Sequence, residues 1–228
     1  MRGLFVTGTD TGVGKTAVSA CLVAAMRAAG EPVRAYKPVI TGLEEPGAGG
    51  PAPWPADNVL LAELAGMRPE EVSPVRYGPA VAPHLAAQLA GRRIDVDALI
   101  ATGQRLAAEH TLIVEGVGGL LVPLNMDFSV CDLAVALGLG LVVVARPGLG
   151  TINHTLLTLR AARAAGLEVR AVVINRWPSP ATLLERSNRE TIAGLGRVEV
   201  ATLGLLEKLD ARALARAGKR LAWEQWLA

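Results

Sequence analysis

Residues 4–16 spell LFVTGTDTGVGKT and decide the fold of this chain. Leu4–Thr7 predicts a short buried strand, Gly8–Gly14 a loop, and the lysine that follows the start of an amphipathic helix. This order is typical of a phosphate-binding loop, because backbone N–H groups and the positive helix terminus converge on an anion. The usual spacing G-x-x-x-x-G-K-[ST] requires a glycine at Thr9, but the glycine stands one residue earlier, at Gly8. A plain strand-to-helix turn that ends in lysine is the other interpretation.

The loop predicts a nucleotide site with definite roles. Lys15 would reach the β- and γ-phosphates, and the Thr16 hydroxyl would ligate Mg²⁺. The predicted ATP-binding residues in this segment are Gly12, Val13, Gly14, Lys15, Thr16 and Ala17.

Composition limits the class of protein. Of 228 residues, 51% are hydrophobic and 19% charged, which excludes a disordered protein and predicts a single domain over residues 1–228. The net charge is only +2, and no basic patch indicates a nucleic-acid partner. The sequence shows neither a charged and apolar leader nor the roughly 18–20 apolar residues of a membrane helix. Cys21 and Cys131 have no CxxC spacing, so we expect reduced, buried thiols and a cytoplasmic protein.

Apolar runs alternate with stretches of helical period along the chain, which predicts a three-layer α/β/α fold with a mainly parallel central sheet, of the P-loop NTPase type. The predicted strands are Leu4–Thr7, Val33–Tyr36, Thr111–Val114, Leu141–Ala145, Val169–Ile174 and Val198–Thr202. The predicted helices are 15–29, 57–66, 83–90, 95–109, 128–138, 151–165, 180–194 and 210–227.

A second candidate site is Tyr36–Gly42 (YKPVITG), at the end of the second predicted strand. In an open α/β sheet the ligand crevice lies beyond the carboxyl ends of the strands, so we expect Lys37 on the same side as the phosphate loop. A second cation there would neutralise charge during phosphoryl transfer, and the Thr41 hydroxyl would contact a substrate. The alternative is a solvated lysine at a strand end. Only four of the 23 basic residues are lysines, which favours a specific role for Lys37.

A third candidate is Thr111–Gly119 (TLIVEGVGG), where an acidic residue closes an apolar strand. P-loop NTPases hold the Mg²⁺ shell at such a position, so Glu115 is a predicted metal ligand. A buried carboxylate without a partner is costly, which implies a metal ion or a lysine nearby. The glycines that follow, Gly118 among them, allow close approach of a ligand to the backbone. Alternatively, Glu115 is a strand-end carboxylate in contact with solvent.

Four further segments carry weaker predictions. Arg146–Asn153 joins an apolar strand to a helix, so its N–H groups would bind another anion or merely connect the two elements. Asn175 follows the fifth predicted strand, where it would contact a base edge or cap a turn. We expect His84 to begin a helix rather than to bind a metal. Residues 42–56 are rich in Gly, Pro and Ala and predict a mobile surface loop.

Taken together, these segments resemble the dethiobiotin synthetase family of biotin biosynthesis. The resemblance spans nearly the whole chain and includes the shifted glycine, since G-T-D-T-x-V-G-K-T is this family's variant of the phosphate loop. The motifs that carry it are Gly8–Thr16, Tyr36–Val39 with Thr41–Gly42, Pro83–His84, Val114–Gly119, Gly150–His154 and Asn175.

The resemblance implies a homodimeric, Mg²⁺- and ATP-dependent cyclo-ligase that acts on 7,8-diaminopelargonic acid and CO₂. One amine would take up CO₂ as a carbamate, whose oxygen attacks the γ-phosphate to give a carbamic–phosphoric anhydride. The other amine would then close the ureido ring of dethiobiotin and expel phosphate.

The resemblance also assigns roles by position in the motifs. Lys37, Lys15 and Thr11 would be catalytic, and the two lysines would balance the charge of carbamate and triphosphate. Asn175 would contact adenine. The implied metal ligands are Thr16, Asp57 and Glu115, and the implied substrate-binding residues are Thr41, Gly118, Gly150, Thr151 and Asn153. Within this set, the loop 148–153 would receive the substrate carboxylate across a dimer interface.

Two other functions compete with this interpretation. A cobyrinate-type amidotransferase carries a separate glutaminase domain, for which 228 residues leave no room. A partition- or septum-type switch ATPase places an extra lysine early in the loop, where this chain has Asp10, and needs a membrane or DNA surface that the sequence lacks.

Overall fold

The computed structural model describes residues 1–44 and 55–228. The strands are β1 (Gly3–Gly8), β2 (Val33–Tyr36), β3 (Val39–Ile40), β4 (Val75–Arg76), β5 (Thr111–Gly119), β6 (Pro123–Asn125), β7 (Phe128–Ser129), β8 (Gly140–Ala145), β9 (Val169–Trp177) and β10 (Glu199–Gly204). The helices are α1 (Lys15–Ala28), α2 (Asp57–Ala65), α3 (Pro69–Val72), α4 (Pro83–Leu89), α5 (Val96–Ala107), α6 (Val130–Leu137), α7 (Thr151–Ala164), α8 (Leu183–Gly196), α9 (Ala211–Gly218) and α10 (Trp223–Trp226).

The centre of the described structure is a six-stranded parallel sheet with the order β10-β9-β8-β1-β5-β2. Alternate residues of β1 enter different cores, since Leu4 and Val6 pack on one face and Phe5 on the other. Helices α1, α2, α9 and α10 cover the first face, and α4 to α8 cover the second. The three-layer α/β/α prediction is therefore confirmed, and β1 lies inside the sheet with its carboxyl end toward the phosphate loop.

Four strands extend beyond their predicted carboxyl ends, and two of these extensions include candidate site residues. Glu115 does not close its strand, because β5 continues until Gly119 pairs with Gly8. Asn175 likewise lies inside β9, since it pairs with Leu203 of the edge strand β10. Both residues nevertheless remain near the carboxyl edge of the sheet.

Capping explains why two helices begin later than predicted. Helix 128–138 begins at Val130, because Ser129 caps it and accepts a hydrogen bond from the N–H of Asp132 at 3.3 Å. Helix 180–194 begins after its cap Thr182, whose hydroxyl and N–H both donate to Glu185, and it runs to Gly196.

The predicted helix 210–227 is two helices. Helix α9 ends at Gly218, and the chain turns so that Trp223 and Trp226 of α10 are buried in the core around α1. The Trp226 indole N–H donates to Glu199 at 3.1 Å, which satisfies its polar atom there. Both tryptophans therefore pack α10 onto the body of the protein.

Most of the predicted loop 42–56 lies outside the described residues, which omit 45–54. Cys21 and Cys131 are buried free thiols. None of the helices in the described ranges has the length and apolar composition that a bilayer crossing requires. The prediction of a single domain over 1–228 stays a prediction.

The packing of α9 against α1 can be tested at Gly218. A Cβ there would overlap the carbonyl oxygen of Cys21. We expect Gly218→Ala to lower the free energy of unfolding by about 1–3 kcal/mol, because an overfilled contact forces the two helices apart. Urea denaturation measures the effect.

Gly194→Ala is the matched control, because Gly194 is a helical glycine with open space around its Cβ position. Alanine favours the helix there, so stability should rise by up to about 1 kcal/mol. A Gly218→Ala protein as stable as the wild type would contradict the close packing of α9 on α1.

Candidate active site

A cavity of about 630 Å³ opens at the carboxyl edge of the sheet. It brings together the three candidate segments of the sequence, because parallel strands all end at this edge. Its lining includes the predicted residues Thr11, Gly12, Gly14, Lys15, Thr16, Ala17, Lys37, Thr41, Asp57, Glu115, Gly118 and Asn175.

The shifted glycine of the phosphate loop has a packing reason. A Cβ at Gly8 would lie 2.8 Å from the Asp10 carbonyl oxygen and 2.8 Å from the Val13 side chain. Thr9, where the usual motif has glycine, donates its N–H to the Val144 carbonyl of β8 at 2.9 Å. The loop therefore turns tightly at Gly8 and holds five residues between Gly8 and Gly14, one more than the usual motif, of which Thr11 lines the cavity.

The helical end of the loop is fixed by Asn175. Its side-chain amide donates to the Val13 carbonyl at 3.0 Å, and Gly14 has φ +96° with no room for a Cβ beside that amide. The Val13 side chain is itself buried and does not line the cavity. The predicted contact of Val13 with ATP would therefore be made by its backbone. Asn175 thus contacts the loop that begins α1 as well as the cavity.

A buried charge network lies opposite the loop. The Lys37 ammonium donates to Glu115 at 2.9 Å and also to Asp57, while the Thr16 hydroxyl donates to the same Glu115 oxygen at 2.8 Å. Only 7% of the Lys37 side chain and 1% of the Glu115 side chain are exposed. The interpretations of Lys37 and Glu115 as solvated strand-end residues are therefore wrong.

Charge pairing and burial shift three pKa values. Burial lowers the pKa of Lys15 to about 8, against a smaller opposing effect of Glu115. Burial also acts to lower the pKa of Lys37, but Glu115 and Asp57 outweigh it and raise that pKa above its ordinary value. Burial acts to raise the pKa of Asp57, and the Lys37 ammonium reverses this and holds it below its ordinary range. At neutral pH Lys37 is therefore protonated and Asp57 ionised.

The oxygen atoms of this network suit a hard cation. Glu115 Oε2 is buried and has no hydrogen-bond partner among the described residues. The described residues contain no cluster of three His, Cys, Asp or Glu side chains. Mg²⁺ does not require one, because it commonly uses one or two carboxylates together with phosphate oxygens and water.

The cap residue and the first turn of α7 lie outside this cavity. Gly150, Thr151 and Asn153 are absent from its lining. The Thr151 hydroxyl is buried without a partner among the described residues, at the first turn of a fourteen-residue helix. The structure therefore does not bring these three predicted substrate residues together with Lys37 in one subunit.

Sequence reasoning missed an apolar part of the lining and one charged residue. Leu205 and Leu206 follow β10, and their position after a strand could have indicated them. Arg176 also lines the cavity, with φ 55°. The other members missed are Ile40, Leu43 and Val117.

Asp10 contacts its own loop and a distant strand end. Its carboxylate accepts the Thr11 N–H at 2.7 Å and pairs with Arg146, which follows β8, at 2.8 Å. Its carbonyl oxygen accepts from the Lys15 ammonium at 3.3 Å. Asp10 is therefore held by contacts with its own loop and with Arg146.

Comparison with known families supports an ATP-dependent enzyme. A family model described as an AAA domain matches residues 2–212. The ATP-dependent dethiobiotin synthetase BioD of Anaeromyxobacter sp. (strain Fw109-5) is 47% identical over 209 residues, which are 87% of this chain and 91% of that protein. The protein of the same name from Bacillus velezensis is 39% identical over 214 residues, or 92% of this chain and 88% of its own.

Solved structures show the same fold at low identity. The MinC:MinD cell division protein complex of Aquifex aeolicus has a TM-score of 0.60 at 16% identity, covering 97% of this chain and 96% of that one. A putative plasmid partition protein of Borrelia burgdorferi, solved with AMPPNP, has a TM-score of 0.60 at 13% identity and covers 99% and 98%. At such identities the likeness concerns the fold alone, and it confirms the predicted P-loop NTPase type.

The buried network can be tested through Lys37→Met. We expect the free energy of unfolding to fall by about 3–5 kcal/mol, because the change leaves the buried Glu115 carboxylate without its ammonium. Urea denaturation with EDTA and without nucleotide measures it. Lys219→Met is the control, since Lys219 is exposed on the surface and its loss should change stability by less than about 0.5 kcal/mol.

The same variant has a predicted pH profile. Because the pKa of Lys37 is raised in the folded protein, its pairing contributes to the free energy of unfolding fully below pH 10.5. This contribution is lost as the pH rises through the raised pKa. Because the pKa of Asp57 is lowered in the folded protein, its pairing contributes to the free energy of unfolding fully above pH 3.8. This contribution is lost as the pH falls through the lowered pKa. The loss caused by Lys37→Met should therefore be nearly constant between about pH 6 and 7, below the pKa of about 8 to which burial and the nearby Lys37 lower Lys15. A loss confined to one end of this window would contradict the ion-pair assignment.

Proposed function

Because this chain belongs to the dethiobiotin synthetase family, we propose that it carboxylates 7,8-diaminopelargonic acid with CO₂ and closes the ureido ring, using ATP. The chain is an ATP-dependent enzyme of the cyclo-ligase type, with a role in biotin biosynthesis and small-molecule substrates. The observation that carries the detailed proposal is the meeting of Lys15, Lys37 and Glu115 in one cavity beside the phosphate loop.

ATP would bind along the loop and α1. The N–H groups of the loop and the N-terminus of α1 favour the phosphates, and Lys15 would move from the Asp10 carbonyl toward them. Adenine would lie between Asn175 and the apolar residues Leu205 and Leu206. This placement puts the γ-phosphate toward Lys37.

The substrate would place its reacting amines between Thr11, Thr41 and Lys37. One amine attacks CO₂ and loses a proton to give a carbamate. A carbamate oxygen then attacks the γ-phosphorus, the bond from that phosphorus to the β,γ-bridging oxygen breaks, and ADP leaves. Lys37 and Lys15 would stabilise the charge on the transferring phosphoryl group, since fixed cations in a dry site act strongly there.

Ring closure completes the reaction. The second amine attacks the carbonyl carbon of the carbamic–phosphoric anhydride, and the C–O bond to phosphate breaks. The amine loses its proton to solvent or to the leaving phosphate, so a dedicated protein base is unnecessary. The oxygen that bridged carbon and phosphorus leaves with the phosphate, and the other carbamate oxygen stays in the ureido group.

Thr16, Glu115 and Asp57 would hold Mg²⁺. A bound Mg²⁺ would supply neutralising charge and orientation for the triphosphate. The unpartnered Glu115 Oε2 and the Thr16 hydroxyl support this assignment. Because Lys37 pairs with the same two carboxylates, its ammonium would shift toward the substrate as cation charge enters the site.

We retain a homodimer as part of the proposal. The loop 148–153 would receive the substrate carboxylate of a neighbouring subunit, which suits its position outside the cavity of its own subunit. Sedimentation equilibrium at assay concentration tests this, and a monomer that remains active would contradict it. Cytoplasmic location stays a prediction from the sequence.

The switch-ATPase interpretation gains no support beyond the shared fold. The MinD and partition proteins are only 13–16% identical to this chain, whereas dethiobiotin synthetases are 39–47% identical. The residues at the γ-phosphate end of the cavity also include hydroxyl groups of Thr11 and Thr41 suited to a small polar substrate.

The proposed reaction has a direct assay. The protein is incubated with ATP, Mg²⁺, bicarbonate and 7,8-diaminopelargonate. We expect ADP, phosphate and a cyclic urea in equal amounts. A coupled assay measures the ADP, and mass spectrometry identifies the cyclic urea. Omission of bicarbonate or of the diamine should stop ADP release. ADP release that ignores both small substrates would favour a switch ATPase and contradict the proposal.

Lys37 should affect turnover more than nucleotide binding. We expect Lys37→Gln to lower kcat by about 10²–10³, because it removes a cation from the charge that develops on the phosphoryl group. The dissociation constant for ATP, measured by calorimetry, should change far less, since the loop and Lys15 remain. Lys219→Gln is the control with no expected effect. A kcat close to that of the wild type would make Lys37 a structural charge only.

A further inference from the structure

We propose that Arg146 is a positioning residue for ATP, which acts by neutralising the Asp10 carboxylate inside the phosphate loop. The inference rests on the proposed placement of ATP at this loop. It concerns a pair of residues separated by 136 positions in the chain, which the reaction described above does not use.

Asp10 is an unfavourable residue for an anion site. It stands within the phosphate loop, and its own carbonyl accepts from the ammonium of Lys15, the predicted phosphate-binding lysine. A free carboxylate at this position would repel a triphosphate and would compete with it for the lysine. The loop therefore needs either a different residue or a cation that offsets the charge.

Arg146 supplies that cation. Its guanidinium lies 2.8 Å from Asp10 Oδ2, while Asp10 Oδ1 accepts the Thr11 N–H at 2.7 Å. Each carboxylate oxygen thus has a separate partner, and the Thr11 N–H is held inside the loop. The pair also lies beside the bond from Thr9 N–H to the Val144 carbonyl, so β8 and the residue that follows it contact the loop at two neighbouring points.

The backbone that presents Arg146 is fixed on both sides. Arg146 follows β8 directly, and Pro147 after it restricts its backbone to extended conformations. The Asn188 amide of α8 donates to the Pro147 carbonyl at 2.9 Å and to the Gly148 carbonyl at 3.3 Å. The guanidinium is therefore presented to the loop from a well-supported connection.

The exposure of the pair separates this role from a role in stability. The Arg146 and Asp10 side chains are 55% and 50% exposed. Exposed ion pairs contribute little to folding, because water and salt screen them and both side chains lose entropy. The effect of the pair should therefore appear in nucleotide binding and not in the free energy of unfolding.

A double-mutant cycle, in which ATP binding is measured for each variant, tests this proposal. The variants are Arg146→Gln, Asp10→Asn and the double variant, and asparagine keeps an oxygen that accepts the Thr11 N–H. The dissociation constant of ATP is measured by calorimetry at low ionic strength with no diamine or bicarbonate. Arg146→Lys is the conservative control, which keeps the charge and should retain most of the affinity.

We expect Arg146→Gln to weaken ATP binding about three- to tenfold, since the phosphate loop then carries an unpaired negative charge. Asp10→Asn should bind ATP at least as tightly as the wild type, and the double variant should return to the affinity of Asp10→Asn. The loss in Arg146→Gln should shrink in about 0.5 M salt, where the Debye length falls to a few ångströms. Unfolding midpoints of the variants should remain equal.

Two results would overturn the inference. An affinity in Arg146→Gln equal to that of the wild type would leave the pair without a role in ATP binding. A double variant as weak as Arg146→Gln would mean that Arg146 contacts ATP itself and does not act through Asp10. A wild-type protein that binds ATP but forms no cyclic urea would contradict the proposed function and leave this inference intact.

Discussion

The site depends on one buried ammonium between two carboxylates. Lys37 pairs with Glu115 and Asp57, and the Thr16 hydroxyl joins the same Glu115 oxygen. These residues belong to the end of β2, to β5 and to the first turns of α1 and α2, so a single network connects four elements. Burial of unpaired charge is costly, and each partner therefore fixes the position of the others. Lys37, Asp57, Glu115 and Thr16 together form the polar end of the cavity.

The phosphate loop shows a second constraint of the same kind. Close packing at Gly8 permits no side chain, and Gly14 leaves room for the Asn175 amide. Between these two glycines the chain forms a segment longer than a generic loop requires, and this segment carries Asp10 and Thr11. Thr11 of this segment lines the cavity, whereas the Asp10 carboxylate pairs with Arg146, which follows β8.

Much of this was predictable from the sequence, because it depends on local pattern and on strand direction. The strand, loop and helix around Lys15 follow from periodicity, and Lys37 and Glu115 meet because parallel strands end at one edge. The pair of Asp10 and Arg146 was not predictable, since two exposed charges 136 residues apart leave no periodic signal. The close packing of Gly218 on Cys21 was not predictable for a similar reason, because it joins two helices that are distant in the chain.

The central claim is that a carbamate oxygen attacks the γ-phosphate in this cavity. A single-turnover reaction with ¹⁸O-labelled bicarbonate tests it most directly, with ³¹P NMR of the phosphate and mass spectrometry of the organic product. If the carbamate oxygen attacks, we expect one labelled oxygen in the phosphate and one in the ureido group of the product. Unlabelled phosphate formed together with labelled product would contradict it, because the phosphate would then have taken its oxygen from water.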